Sequence, residues 1–140
     1  MEEKPGKAFT IGLKNRGRGE VKMEFKYIIY EKSEGIATIT LNRPEVLNAF
    51  SKEVEDEVLQ ALEDIKNDEN VRVVILTGAG EKAFSAGADI KAMKGMNALK
   101  ARELSLRGEK VCTALENFEK PIIAAINGYA LGGEIGRAHV

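Results

Sequence analysis

Lys120-Pro121-Ile122-Ile123-Ala124-Ala125-Ile126-Asn127-Gly128-Tyr129-Ala130-Leu131-Gly132-Gly133 is the stretch on which the reading of this chain turns. Pro121 has no amide hydrogen to give a ladder, so it stands at the opening of an extended run. The apolar run 122–126 is short and β-branched, which predicts an inner strand buried in a parallel sheet. Asn127 and Gly128 end it, and the small residues up to Gly133 predict a glycine-rich turn leading into a helix. A buried strand followed by such a turn is part of a parallel β/α unit, provided the preceding chain alternates in the same way.

The preceding chain does alternate. Residues 26–31 (KYIIYE) are aromatic and β-branched and predict a strand, Ser33-Glu34-Gly35 a turn, and residues 36–41 (IATITL) its hairpin partner. Asn42-Arg43-Pro44 ends that strand. Ser51 is placed to cap a helix reaching to about Asn67, with Val54, Val58, Ala61, Leu62 and Ile65 on one face. Glu55, Asp56, Gln60 and Glu63 fall mostly on the other face. Residues 71–77 (VRVVILT) predict a second buried strand, followed by a turn at Gly78-Ala79-Gly80. Residues 90–96 read as a short helix. Asn97 opens a longer one to about Phe118, presenting Leu104, Val111, Leu115 and Phe118 together and weakened at Gly108. A hairpin followed by alternating helices and strands predicts an α/β fold with parallel crossovers.

The chain has 140 residues with 21 basic and 22 acidic side chains, a net charge of -1. That length suits one small domain, and the balance of charge points at neither nucleic acid nor an anionic membrane. No apolar run approaches the length needed to span a bilayer. The single cysteine, Cys112, has no intramolecular partner and suits a reducing, cytoplasmic setting. With one histidine and no zinc-like Cys/His spacing, metal and Ser-His-Asp chemistry are not expected. Residues 1–22 carry six basic side chains against three acidic ones, with scattered glycines, and are expected to be a disordered or non-native tail. Gly19-Glu20-Val21-Lys22 back-translates to a purine-rich, ribosome-binding-like stretch, which makes Met23 the expected native start.

Two segments stand out chemically. Phe84-Ser85-Ala86-Gly87-Ala88-Asp89 and residues 128–133 carry almost nothing bulky, so a ligand can approach their main chain, and two converging amides would bind a negatively charged oxygen. The same glycines would equally serve tight turns and close packing. Gly78-Ala79-Gly80 lacks the Lys-Ser/Thr of a phosphate loop and reads as a turn. Cys112, between Val111 and Leu115, is expected to be an inert core thiol. Lys91 and Lys94 suit either an anionic ligand or a solvated face, and Asp89 a helix cap rather than a catalytic acid.

Residues 36–44 with Asn48-Ala49-Phe50-Ser51, residues 73–78, residues 83–90 and residues 120–133 together resemble the crotonase (enoyl-CoA hydratase/isomerase) superfamily, in order and over about residues 25–133. The resemblance implies a crotonase-like ββα-spiral and an acyl-CoA thioester substrate. It implies a thioester enolate held by the backbone amides of Ala88 and Gly133. Val46, Ala86, Ala88, Asp89, Ile90 and Lys91 are the implied coenzyme A contacts. It implies no metal or cofactor beyond the coenzyme A of the substrate, homotrimers or hexamers, and a role in fatty acid β-oxidation. The nearest members in pattern are short-chain enoyl-CoA hydratases, in which two glutamates activate water. The alternatives are another acyl-CoA enzyme of the superfamily (isomerase, hydrolase, decarboxylase or dehalogenase) and a non-catalytic acyl-CoA-binding protein.

The pattern then departs. Gly136 stands where the first glutamate is implied, and Glu134, two positions earlier, is rotated by about 200° on a helix. The second glutamate's position lies beyond Val140. Glu134-Ile135-Gly136-Arg137-Ala138-His139-Val140 is also what a common sequencing adapter encodes in one frame. The expectation is therefore a crotonase-like domain over residues 23–133, truncated before its C-terminal helices and inactive alone, followed by a non-native tail over residues 134–140. Apolar faces meant for the missing helices are expected to be exposed.

Overall fold

The computed structural model describes residues 23–132. Strand β1 (Ile28–Ser33) turns through Glu34 and Gly35 into β2 (Ile36–Leu41), and the two pair antiparallel from Ile28↔Leu41 to Ser33↔Ile36. A single 3-10 turn, Pro44–Val46, leads to helix α1 (Lys52–Lys66), after which β3 (Val73–Gly78) lies parallel to β2. The short strand β4 (Ala83–Ser85), the one-turn helix α2 (Ile90–Met93) and the long helix α3 (Ala98–Glu116) follow. Strand β5 (Ile122–Ala125) returns parallel to β3, and β6 (Tyr129–Ala130) pairs parallel with β4. The result is a four-stranded sheet in the order β1-β2-β3-β5 and a two-stranded sheet β4-β6.

Helix α1 begins where the sequence places it. The Ser51 hydroxyl accepts from the Val54 amide, and Asn67 closes the far end. The Glu53 carboxyl in the first turn is held below its ordinary range by its own main-chain contact and then by the Ser51 hydroxyl. Val54, Val58, Ala61, Leu62 and Ile65 are buried against Ala37, Ile39, Leu41, Val74 and Leu76 of the sheet, with Val111 and Leu115 of α3 completing the core. Polar ties fix the rim. The Glu57 carboxylate accepts from the amides of Lys26, Tyr27 and Ile28 at 2.7–3.1 Å. Lys120 Nζ donates to the Ile65 and Asp68 carbonyls at and just past the end of α1, each of which also accepts a main-chain amide.

Several expectations need correction. The strands at residues 71–77 and 122–126 are not buried on both faces. Residues of β3 alternate buried and half-buried, because α1 and α3 cover one face of the sheet only. Among the described residues, strand β5 is the last of its sheet rather than an inner strand, and Ile123 is 55% exposed. The strand expected at residues 26–31 is shifted two residues toward the C-terminus, since the Glu57 carboxylate occupies the amides at its start. Residues 127–133 are not wholly turn, because Tyr129 and Ala130 form β6. Glu55, expected on the solvent face of α1, is buried, because α3 crosses there and brings Arg107 to it. No helix among the described residues is long and apolar enough to cross a membrane. The tails at residues 1–22 and 134–140, with their expected non-native character, lie outside the described residues, as does Gly133.

Candidate functional site

The loop from Arg43 to Phe50 and the segment after β4 build one another. Asn48, fully buried, accepts from the Arg43 amide through Oδ1 and donates through Nδ2 to the carbonyls of Ala79 and Ala83. The Ser85 hydroxyl donates to the Asn48 carbonyl at 2.8 Å and accepts from the Gly87 amide at 3.1 Å. The Ala86 amide donates to the Leu47 carbonyl. Arg43 bonds the Ala49 carbonyl, reaches Asp89 Oδ2 at 3.4 Å and lies over the Tyr27 ring. The second Asp89 oxygen accepts from the amides of Lys91 and Ala92, so Asp89 is the cap of α2, as the sequence predicts.

These contacts present the Ala88 main chain. Phe50 bridges to it in parallel fashion: the Phe50 amide donates to the Gly87 carbonyl and the Phe50 carbonyl accepts from the Asp89 amide. A strand residue straddled in this way has its own N–H and C=O on the opposite side. Ala88 is exposed, and its amide donates to no other described residue.

The second small-residue segment runs alongside. The Leu131 amide donates to the Ser85 carbonyl, and Gly132 lies against Gly87. Gly87 has φ +90, and a Cβ there would stand 2.9 Å from the Leu131 carbonyl oxygen, so this approach requires glycine. Gly128 also serves packing, since its Cβ would fall 2.4 Å from the Lys82 carbonyl oxygen. Asn127 reinforces the junction by accepting from the Gly78 amide and donating to the Gly80 and Ala83 carbonyls. The chain thus brings the immediate neighbours of Ala88 and of Gly133 together. The Gly133 half of the expected amide pair lies outside the described residues.

The expected coenzyme A contacts differ in exposure. Val46 is half-buried beside Leu47, which bonds Ala86; Ala86 and Asp89 are half-buried, and Ile90 and Lys91 are exposed. On another side of Ala88 a cavity of about 340 Å³ has Phe50, Glu55, Ala88, Met93, Leu104 and Cys112 in its wall. That is near the lower end of the ~300–1,000 Å³ typical of small-molecule sites. Cys112 is half-buried and faces this cavity, not the core centre expected for it. Reasoning from sequence found Ala88 but assigned no role to Asn48, Ser85 or Asn127. Their signal is three short polar side chains within or beside otherwise apolar stretches.

An α/β sheet with a free main-chain amide set between small residues, beside a cavity, defines a class of protein that can polarise a carbonyl oxygen without a polar side chain. Comparison with known proteins narrows the class. The profile of the Enoyl-CoA hydratase/isomerase family matches residues 31–138. The chain is 50% identical over 111 residues to a short-chain-enoyl-CoA hydratase of Clostridium acetobutylicum, covering 79% of this chain and 42% of that protein. It is 44% identical over 111 residues to a crotonyl-CoA hydratase of Syntrophomonas wolfei, covering 79% and 43%. Among solved structures, an enoyl-CoA hydratase of Bacillus anthracis superposes with a TM-score of 0.78 at 39% identity, covering 81% of this chain and 44% of that one. The chain therefore belongs to the enoyl-CoA hydratase/isomerase family, and the described residues form part of the crotonase fold. It spans about two fifths of the length of the curated relatives it matches.

Proposed function

We propose that this chain is the N-terminal part of a short-chain enoyl-CoA hydratase, a lyase adding water across the 2,3 double bond of an enoyl-CoA thioester. The observation that carries the reading is the exposed Ala88 amide, straddled by Phe50 and turned away from it. The thioester oxygen accepts from Ala88 and, as its second donor, from Gly133. As the carbonyl gains enolate character these bonds strengthen, and each such donor is typically worth about 2.7–4 kcal/mol in the transition state. Val46 and Ala86, Asp89, Ile90 and Lys91 contact the coenzyme A portion, and the acyl group enters the cavity beside Ala88. No cofactor beyond coenzyme A is needed, since the main chain supplies the electrophile.

The complete protein works as a homotrimer or hexamer, in the cytoplasm, on intermediates of fatty acid β-oxidation. Water activation requires glutamates, and Gly136 stands where the family resemblance implies the first, so the 140-residue chain alone hydrates at background rate.

A ligand pair tests the oxyanion claim without altering the fold. Butyryl-CoA should bind about three- to tenfold more tightly than S-butyl-CoA, the matching thioether without the carbonyl oxygen, as a neutral main-chain hydrogen bond would give. Equal affinities by calorimetry would overturn the amide assignment. Turnover of crotonyl-CoA well above the uncatalysed rate would overturn the claim that water activation is absent from this chain.

A further inference from the structure

The cavity beside Ala88 is mostly apolar, yet one of its wall residues is a buried carboxylate. Glu55 is 5% exposed and lines the cavity with Phe50, Ala88, Leu104 and Cys112. Its Oε1 lies 4.0 Å from where a Cβ on Gly108 would stand, so this acid occupies the space that glycine leaves open on α3. Its charge is balanced from outside the cavity: Arg107 Nε is 3.6 Å from Oε2, and Arg107 is itself held by Asp56 Oδ1 at 2.6 Å. Glu109, the other carboxylate in the wall, is exposed and keeps its water.

We infer that Glu55 is a specificity-determining residue that restricts this cavity to short acyl groups; the inference rests on the acyl-CoA reading above. A carboxylate tolerates burial when it is paired, and an apolar group pressed against it adds desolvation without adding a partner. A four-carbon acyl group held at Ala88 ends short of Glu55. A longer chain reaches the carboxylate and presses an apolar surface against it with no donor to offer. The ion pair with Arg107 fixes the carboxylate in the wall, so it does not swing aside to admit the chain.

Cys112 provides the readout. It is the single cysteine of the chain and lines the same cavity, so an acyl group seated there slows its alkylation by iodoacetamide. In the 140-residue chain, butyryl-CoA should protect Cys112 at concentrations at least about tenfold lower than octanoyl-CoA, and S-methyl-CoA, which has neither an acyl group nor a free thiol to consume the reagent, should not protect. Glu55→Leu, which leaves Arg107 paired with Asp56, should bring octanoyl-CoA level with butyryl-CoA. Glu55→Gln, which keeps the shape, should move the ratio the same way by about threefold. Glu63→Gln, exposed on α1 and outside the cavity, should leave the ratio unchanged. Equal protection by the two thioesters in the unaltered chain, or a ratio indifferent to both Glu55 substitutions, overturns the inference and leaves the acyl-CoA reading standing. Absence of protection by either thioester overturns the placement of the acyl group in this cavity, and the inference with it.

Discussion

Ser85 holds more of the site than its size suggests. Its hydroxyl is buried and ties the Asn48 carbonyl to the Gly87 amide, so one side chain links the loop after β2 to the residue before Ala88. Ser85→Ala leaves both main-chain groups to find other partners in a site with little water. The expected loss is about 1–3 kcal/mol in urea-induced unfolding, together with weaker protection of Cys112 by butyryl-CoA. Unchanged unfolding with unchanged protection would show that the loops are held elsewhere. At this scale the sequence was readable for the small-residue segment around Ala88 and for Asp89 as a cap, because both have local signatures. It was unreadable for Asn48, Ser85 and Asn127, each of which has a partner 31–49 positions away. Hydrogen bonds between distant loops leave no periodicity to read.

At the scale of elements, helices α1 and α3 were legible because each carries a cap and an apolar stripe several turns long. Strands β4 and β6 were not, having three and two residues, too few to establish any alternation. The burial of Glu55 was also illegible, since the helical wheel of α1 places it beside charged neighbours and only the crossing of α3 buries it. Two measurements probe these helices. Ser51→Ala removes the N-cap of α1 and should cost about 1 kcal/mol. It should also flatten the acid dependence of stability. With Glu53 held below its ordinary range, the stabilisation is present above the unfolded value and lost as pH falls through the lower folded one. The gap between urea midpoints at neutral pH and near pH ~3 should therefore narrow slightly in the substituted chain, since the main-chain contact, the larger cause, remains. Gly108→Ala acts in the opposite sense. The added Cβ meets nothing nearer than Glu55 Oε1 at 4.0 Å, so the helix gains about 0.5–1 kcal/mol. The same methyl group narrows the cavity, so butyryl-CoA should protect Cys112 less well while the fold becomes more stable. A fall in the unfolding midpoint would contradict the open space over Glu55.

At the scale of the whole molecule, the core is well formed on one side of the sheet and open on the other. Ile123, Ile126, Tyr129 and Leu131 are 49–65% exposed along a single stretch of chain, and β5 is the outermost strand of its sheet among the described residues. An apolar stretch beside an unpaired strand edge is a template for a second chain. The 140-residue chain should therefore self-associate with rising concentration through β5 and the turn after it. Burying one large aliphatic side chain contributes about 1.5–3 kcal/mol, so Ile123→Lys should weaken association by at least about tenfold in sedimentation equilibrium. The core does not use Ile123, so the unfolding midpoint of the monomer should change little. Leu106→Lys serves as a control, because Leu106 is 52% exposed on α3, away from β5 in the fold. If both substitutions weaken association equally, the contact is unspecific collapse; if neither does, the open face is not where copies of the chain meet.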